Sequence, residues 1–307
     1  RVKKNIEHAA AVELGSLEMQ CRWATWREDV IAMDMGWNIL FEMGDSMVGF
    51  VVKAVYGTLM TPALVSNWLE EEDGKCKLCD DAPGTIKHIL SGCRVALAQG
   101  RYRWRHDKVL KQISEQVIYH CTKRVNKQSV GGAEAPKVIN FVPSGKRPPA
   151  TDSNRVNKKD TFGILNGAND WIVLTDIGKQ LKFLPKIAIT RQRSDLVLFS
   201  RAIKRVLWWE LTCPSEERIA EDHELKLDRY CPLKNECESN GWSCTNLAVE
   251  VGARGLVAES LGKAASMIGM KGRIIKKLVR DSGREAAHCS RCIYNLSRKK
   301  EWESQMN

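Results

Sequence analysis

The sequence lacks any run of 18 or more apolar residues, and its beginning lacks the basic and apolar pattern of a secretory signal. A membrane-spanning helix needs about 20 apolar residues, so we expect no membrane partner of that kind and no secretion. Acidic residues are the scarcer charge, with 37 Asp and Glu against 48 Lys and Arg. The net charge of +11 favours a polyanionic partner, which by composition alone is either nucleic acid or an anionic membrane surface.

Two further absences narrow the functional classes. The 11 cysteines are an odd number in a chain without a secretory signal, which favours thiols and metal ligands over a disulfide framework. The one Asp-Asp pair, Asp80 and Asp81, has no aromatic residue two positions before it. The chain therefore has no polymerase palm signature and is not expected to polymerise DNA by itself. Because the sequence begins at Arg1 rather than at methionine, we expect it to be the C-terminal part of a longer protein.

A cysteine and histidine motif near the middle of the first half has the spacing of a metal site. Cys76 and Cys79 are separated by two residues, His88 follows after eight more, and Cys93 after another four. Two thiolates at this spacing on a turn can share one tetrahedral metal, and a later His and Cys can complete its shell. The spacing predicts structural zinc, against the alternative of four separately buried side chains.

The segment after this motif alternates basic and aromatic residues, Arg101, Tyr102, Arg103, Trp104 and Arg105. Such a pattern suits contact with a nucleic-acid backbone combined with base stacking. In a second interpretation the segment begins a helix whose aromatic residues pack on the zinc module while the arginines are solvated. The two interpretations are compatible, and the first predicts that these five residues bind nucleic acid.

Two short apolar runs, 196–199 and 206–209, have the length of strands buried on both faces. The six residues between them suit a hairpin connection. A symmetric hairpin pairs Ser200 with Arg205, and this register fixes which side chains share a face.

The same register places Asp195 opposite Glu210. Two neighbouring carboxylates repel each other unless a cation lies between them or one is protonated. A helix is predicted to begin near Pro214, and its inward stripe carries Lys226. The whole predicted stripe comprises Ile219, His223, Lys226, Tyr230, Leu233 and Cys237. Two acids that converge can bind a hard cation such as Mg²⁺ or Mn²⁺ through their oxygens, while a lysine beside them orients or deprotonates a water. The alternative is an ordinary buried hairpin in which Glu210 forms an ion pair with Lys226.

These residues, in this order after a zinc motif, resemble the PD-(D/E)XK nuclease superfamily. The closer resemblance is to the zinc knuckle and restriction-like endonuclease at the C-terminus of site-specific non-LTR retrotransposon proteins. It implies that Asp195 and Glu210 are the metal-binding acids and that Lys226 is a catalytic lysine moved onto the helix. Tyr230 matches the family's tyrosine one turn further on, as a fourth catalytic position.

Several positions depart from that pattern or are expected to play a lesser part. Ser194 stands where the family usually has proline, and Thr212 stands at the original lysine position. Glu250 resembles the family's Glu-Val-Gly motif and is expected to support the site rather than to catalyse. His223 could assist the site, but a packed histidine is the favoured interpretation.

The resemblance also implies a function. It indicates a metal-dependent endonuclease module that nicks target DNA and leaves a 3′ hydroxyl for an upstream reverse transcriptase to extend. The implied partners are DNA target, element RNA and the upstream reverse transcriptase domain of the parent chain, and the implied location is the nucleus, with cytoplasmic passage as a ribonucleoprotein. Two alternatives stay open at this point: an inactive nuclease fold that binds nucleic acid, and a partner-binding scaffold.

The predicted fold class is α/β, of the mixed α+β kind, with a small central mixed sheet of PD-(D/E)XK type flanked by helices. A helical segment and the zinc knuckle precede it, and a last strand is expected within 242–252. The predicted units are a helical linker after a reverse transcriptase thumb (1–70), a zinc module with the basic aromatic segment (71–122), a basic flexible linker (123–168), the endonuclease domain (169–270) and a basic helical tail (271–307).

A second Cys-x-x-Cys pair lies in this tail, where Cys289 and Cys292 follow His288. With no further ligand pair nearby, free thiols are favoured over a second zinc site. The tail's Lys and Arg residues are either a solvated helix face or a nonspecific DNA contact.

Overall fold

The computed structural model describes residues 2–16, 42–69, 73–129, 163–177, 181, 183 and 185–302. Its helices are α1 (Val2–Gly15), α2 (Asp45–Val55), α3 (Pro62–Ser66), α4 (Arg94–Ala98), α5 (Arg101–Ser129), α6 (Ile219–Ser239), α7 (Glu259–Met267) and α8 (Arg273–Asn295). Its strands are β1 (Ile172–Thr175), β2 (Leu196–Ser200), β3 (Arg205–Thr212) and β4 (Ser243–Glu250). Single helical turns occur at His88–Gly92, Gly163–Leu165 and Glu216–Arg218.

Within the described residues the strands form one mixed sheet in the order β1-β2-β3-β4. The first two pairings are antiparallel, and β3 pairs with β4 in parallel through the α6 crossover. Ser200 lies opposite Arg205, which confirms the predicted hairpin register. Asp170 holds the turn of this hairpin, because its carboxylate accepts hydrogen bonds from the N–H groups of Arg201 and Ala202, both at 2.9 Å.

Helices cover both faces of the sheet, which explains why β2 and β3 are apolar at consecutive positions. Leu196 and Trp209 belong to the core between the sheet and helices α5, α7 and α8. Val197 and Trp208 belong to the opposite core, which α6 closes. The mixed α/β class and the helix-flanked mixed sheet are therefore confirmed.

Helix α6 buries the stripe that helical periodicity predicts. Ile219, Tyr230, Leu233 and Cys237 are buried, while His223 and Lys226 are partly buried. The helix begins after one tight turn rather than at Pro214, and Glu221 and Asp222 lie in its first turn, as the helix dipole favours.

The predicted boundaries between the zinc module, the nuclease domain and the tail do not match the packing. Helix α5 puts Val109 and Ile113 into the same core as β2 and β3. Helix α8, in the predicted tail, buries Leu278 and Ala286 in that core as well. The C-terminal segment is therefore a structural helix of the core rather than an appended basic tail.

The predicted linker is also shorter than expected at both of its described ends. Helix α5 continues to Ser129, and the turn at Gly163–Leu165 buries Leu165 completely in the main core. The indole N–H of Trp171 donates to the Leu165 carbonyl at 2.9 Å, which fixes this turn beside β1. The rest of the predicted linker, residues 130–162, lies outside the described residues.

In the predicted helical linker, 1–70, the described residues form α1, α2 and α3. Phe50 and Ala54 of α2 pack with Leu90 of the zinc module and with Ile293 of α8. The tryptophans at 23, 26 and 37 lie outside the described residues. Helix α2 therefore packs on the module that follows it.

Candidate functional site

The four predicted zinc ligands come together. The ligand atoms of Cys76, Cys79, His88 and Cys93 all lie within 4.8 Å of one another, and Cys79 Sγ is 3.3 Å from His88 Nε2. A tight turn carries the first two, with Asp80 at φ +52 and its N–H donating to the Cys76 carbonyl at 2.8 Å. Three sulfurs and one imidazole in a compact group match the donor set that zinc prefers, so this Cys3His cluster can hold a metal such as zinc.

The environment of these thiols suits a bound cation. Burial, together with the neighbouring thiols Cys76 and Cys79, raises the pKa of Cys93 to about 11. Burial by itself would raise the pKa of Cys79, but the N–H groups of Ala82 and Asp81 outweigh it and lower that pKa. Burial also lowers the pKa of His88, which keeps the ring neutral. A neutral imidazole and thiolates that need a positive partner are the ligand states that zinc takes up.

The predicted acids and the lysine also meet. Asp195 directly precedes β2 and is two residues before Val197, and Glu210 is two residues after Trp208. Val197 and Trp208 face α6. Because side chains alternate along a strand, both acids are placed on that same side of the sheet. The ammonium of Lys226 lies 3.5 Å from Oε2 of Glu210, a carboxylate that is 1% exposed.

Tyr230 completes this group one turn further along α6. Its hydroxyl donates to the carbonyl of Arg193, two residues before Asp195, and its ring centroid lies 5.9 Å from the Lys226 ammonium. The four predicted catalytic side chains therefore occupy one corner of the sheet.

Glu210 is an unusual carboxylate. Burial and the negative charge of Asp195 raise its pKa to about 7, against the opposing charge of Lys226. Among the described residues its second oxygen, Oε1, has no hydrogen-bond partner. A buried oxygen of this kind requires an explanation such as an ion or a water, and two carboxylates at the end of the sheet form an all-oxygen set suited to Mg²⁺ or Mn²⁺. The residues therefore fit a hard divalent cation.

Three residues at this corner were not predicted as site residues. His106 of α5 lies between two acids, with Nε2 at 3.3 Å from Asp195 Oδ2 and Nδ1 at 3.1 Å from Asp107 Oδ1. Burial alone would lower the pKa of His106, but Asp107 and Asp195 outweigh it and raise the pKa to about 9. Asp176, just after β1, donates its N–H to the Asp195 carbonyl at 2.9 Å.

Sequence periodicity could place none of these three beside Asp195. His106 and Asp107 belong to a helix far away in the sequence, and Asp176 follows a strand whose pairing partner was not predicted. The one sequence feature that could have drawn attention to His106 is the basic aromatic segment 101–105, because His106 follows it directly.

A single cleft of about 720 Å³ joins the acidic corner to the zinc module. Lys87 and Arg103 line it from the zinc side, while Arg193, Lys226 and Arg229 line it from the sheet side. Asp195 also lines this cleft. Asp107, Asp176 and Asp222 line it as well, so the cleft carries both signs of charge, with the basic side chains in excess.

Burial corrects the prediction for two of the arginines. Arg101 and Arg105 are 0% and 1% exposed. Arg101 donates to the carbonyls of Leu296 and Lys299, both at 2.7 Å. Arg105 donates to the carbonyls of Leu90 and Cys213, both at 2.9 Å, and to Ser290 Oγ at 3.0 Å. Both guanidinium groups are buried and bonded to acceptors of the protein, with Nε of Arg105 unpartnered among the described residues, so neither is available for nucleic acid.

The other three residues of this segment have mixed positions. Tyr102 packs on the zinc module, where its hydroxyl donates to the Ile89 carbonyl at 2.9 Å and accepts from the Cys93 N–H at 3.0 Å. Trp104 is half-buried against Trp302. The Arg103 side chain is 69% exposed, which leaves it as the arginine of this segment that faces solvent.

Replacing Arg105 and Arg103 should separate these two roles. Arg105→Ala is expected to lower the free energy of unfolding by about 3 kcal/mol or more, because each buried polar group left unsatisfied costs about 1 to 3 kcal/mol. Arg103→Ala should change it by less than about 0.5 kcal/mol, since its pair with Asp107 is exposed and 3.7 Å long. Urea unfolding followed by tryptophan fluorescence measures both, and equal effects would contradict the assignment.

The second cysteine pair lies on α8. Glu285, His288 and Cys289 bring one ligand atom each within 4.8 Å of one another. The Cys289 thiol donates to Glu285 Oε1 at 3.7 Å, and burial raises the pKa of this thiol far above its usual range. Among the described residues this group has three ligand atoms and does not include Cys292, one short of the four that a structural zinc site uses, which favours the free-thiol interpretation.

Glu250, at the end of β4, contacts His223 of α6. His223 Nδ1 lies 3.0 Å from Glu250 Oε1, and Ser260 donates to the other carboxylate oxygen at 2.6 Å. Next to them Gly252 is crowded, because a Cβ there would lie 2.3 Å from Glu216 Oε1. These contacts brace β4 against α6 and α7, as the expected supporting role requires.

No helix among the described residues is both long enough and apolar enough to cross a membrane. The candidate chemistry is thus carried by a Cys3His cluster, an acidic corner with a lysine, and the basic cleft between them. No protein-family model matches the chain, and no curated protein matches it.

Proposed function

We propose that this chain is a metal-dependent DNA endonuclease module that nicks target DNA. The observation that carries the proposal is Glu210, a buried carboxylate with one oxygen near Lys226 and the other without a partner among the described residues. Its charge is coupled to that of Asp195, which lines the cleft together with several basic side chains. The resemblance to the restriction-like endonuclease of non-LTR retrotransposon proteins supports the same reading, with the PD-(D/E)XK type of sheet as part of the proposal.

Asp195 and Glu210 would hold Mg²⁺ or Mn²⁺. A cation bound there supplies charge stabilisation at the phosphate during cleavage. Lys226, whose ammonium lies 3.5 Å from the buried acid, would orient the attacking water; to take that water's proton it must first release one of its own. Tyr230, hydrogen-bonded to the Arg193 carbonyl, holds the segment that leads into Asp195.

The zinc module forms the opposite wall of the cleft. Lys87 and Arg103 on that wall, with Arg193 and Arg229 across from them, bind backbone phosphates of the DNA. A backbone held from both sides places a phosphate near the acidic corner. We propose that zinc is structural here, because its four protein ligands leave no open position.

In the parent protein this nick would leave a 3′ hydroxyl for an upstream reverse transcriptase domain. The proposed partners are therefore the DNA target, the element RNA and that upstream domain, in the nucleus after cytoplasmic passage as a ribonucleoprotein. These assignments rest on the resemblance and not on the cleft.

The test is nicking of supercoiled plasmid by the purified chain with Mg²⁺ or Mn²⁺, compared with the same protein in EDTA. Conversion to open circles only with the metal supports the proposal. DNA binding at low salt without nicking supports a second candidate function, an inactive module that binds nucleic acid. The basic residues on both walls of the cleft favour this candidate whether or not the acids bind a metal. Failure to bind DNA would contradict both and leave a scaffold role.

Lys226→Ala should reduce nicking by about 10²- to 10⁴-fold, the usual contribution of a general acid or base, while divalent metal is still bound. The reason is that Lys226 contacts Glu210 but supplies no oxygen ligand. Plasmid nicking and Mn²⁺ titration calorimetry measure the two properties.

The matched control for Lys226→Ala is Lys234→Ala on the same helix. The Lys234 ammonium is 4.0 Å from the exposed Glu238 carboxylate, and Lys234 does not line the cleft. It should nick like the wild type. Preserved cleavage in Lys226→Ala would remove Lys226 from the mechanism.

A further inference from the structure

We infer that His106 is a positioning residue for Asp195, and that through it the zinc-bearing side of the protein sets the geometry of the proposed metal site. The inference rests on the proposed function, since Asp195 is taken as a metal ligand. Its basis is one imidazole between two carboxylates, with Nε2 3.3 Å from Asp195 Oδ2 and Nδ1 3.1 Å from Asp107 Oδ1.

The contacts of Asp195 fall on one of its two oxygens. Oδ2 accepts the N–H of Leu211 at 2.7 Å and also faces the His106 ring at 3.3 Å. Two contacts from different directions fix the plane of a carboxylate. Within the described part of the chain, Oδ1 is then the oxygen left to meet a cation. Outer partners that hold a metal ligand in this way typically govern the affinity for the metal.

The position of His106 is fixed in turn by the zinc module. Tyr102, one helical turn earlier on α5, ties the start of the helix to the zinc ligand region through the Ile89 carbonyl and the Cys93 N–H. Arg105, next to His106, ties the same turn to the Cys213 carbonyl, just after the strand that carries Glu210. The beginning of α5 is therefore held at both the zinc cluster and the acidic corner, and His106 is the side chain that reaches Asp195.

A positioning role differs from a catalytic one in what it changes. Without His106, Asp195 would keep the Leu211 N–H but lose its second restraint. We expect this loss to outweigh the removal of a neighbouring positive charge, so the divalent cation should bind more weakly. Once the cation is saturating, the cleavage rate should be close to normal. A general base at this position would show the opposite behaviour, a lower rate with unchanged metal affinity.

The experiment uses the full chain with its zinc and compares His106→Ala with His106→Gln. His106→Ala should weaken Mn²⁺ binding by about 10- to 100-fold, as measured by calorimetry without DNA. The Mn²⁺ concentration that half-saturates nicking should rise by the same factor. His106→Gln should recover most of the affinity, because its amide can still donate to Oδ2.

The control is Lys111→Ala, an exposed position on the same helix, which should bind Mn²⁺ like the wild type. Zinc content and thermal melting of His106→Ala should match the wild type, which separates a positioning effect from misfolding. Unchanged Mn²⁺ affinity in His106→Ala overturns the inference. A wild-type protein that binds no divalent cation at all overturns it together with the proposed function, and that outcome is visible before any variant is compared.

Discussion

Plasmid nicking should fall by at least about 10³-fold in Asp195→Asn and in Glu210→Gln, because a bound cation contributes several kcal/mol of transition-state stabilisation and each 1.4 kcal/mol is tenfold in rate. Both substitutions keep the shape of the side chain and remove its charge. Glu210 is 1% exposed and faces Lys226 at 3.5 Å, so an isosteric amide is the least disruptive change available. Gel electrophoresis of supercoiled plasmid with Mn²⁺ gives the rate.

DNA binding should be retained in both variants. Asp195→Asn removes a negative charge from the lining of the cleft, and Glu210→Gln changes a buried side chain that adds no charge to that lining. Glu224→Gln is the matched control: it makes the same chemical change on α6 at an exposed position and should cleave normally. Wild-type rates in Asp195→Asn and Glu210→Gln would exclude this corner as the cutting site, whatever the plasmid assay of the wild type shows.

The hairpin and the acid-lysine corner could be predicted because short-range rules determine them. The loop length set the register that pairs Ser200 with Arg205. That register placed Asp195 and Glu210 at the same end of the hairpin, and the period of 3.6 along α6 turned Lys226 toward Glu210. Each step needed only residues close together in the sequence.

The buried arginines could not be predicted in this way. Arg101 and Arg105 have the charge of surface residues, and a mixed basic and aromatic segment suggests solvent or nucleic acid. Their partners are carbonyl groups at Leu296, Lys299 and Cys213, which no periodic pattern connects with α5. A guanidinium can be buried only where several acceptors converge, and that convergence is a property of the tertiary fold.

Helix α8 was misread for a related reason. Its charged residues are mostly Lys and Arg, but its buried face combines apolar residues with small ones, including Ser282 and Gly283. Small residues allow close approach: a Cβ at Gly255 would lie 2.7 Å from the Gly283 carbonyl. The net charge of a whole segment does not reveal a narrow, partly polar face that packs in the core. For the same reason, the polar composition of the predicted linker did not reveal that Leu165 is buried at its end.

Cys79→Ser is expected to release about one zinc per chain, because a cluster of three thiols and one imidazole loses a thiolate that the N–H groups of Asp81 and Ala82 stabilise. Structural zinc contributes on the order of 10 kcal/mol to folding of its module, so residues 76 to 106 should lose protection from amide hydrogen exchange. The sheet should keep its protection, because its two cores are built from other residues.

Mass spectrometry of metal content, with Cys231→Ser as the control at an exposed cysteine of α6, measures the zinc that Cys79→Ser loses. Since His106 is held beside Asp195 by the same start of α5, the zinc-depleted variant should also bind Mn²⁺ more weakly than the Cys231→Ser control. A wild-type chain that contains no zinc would contradict the first expectation. Unchanged Mn²⁺ affinity after zinc loss would show that the two metal-compatible clusters are independent, even though one cleft joins them.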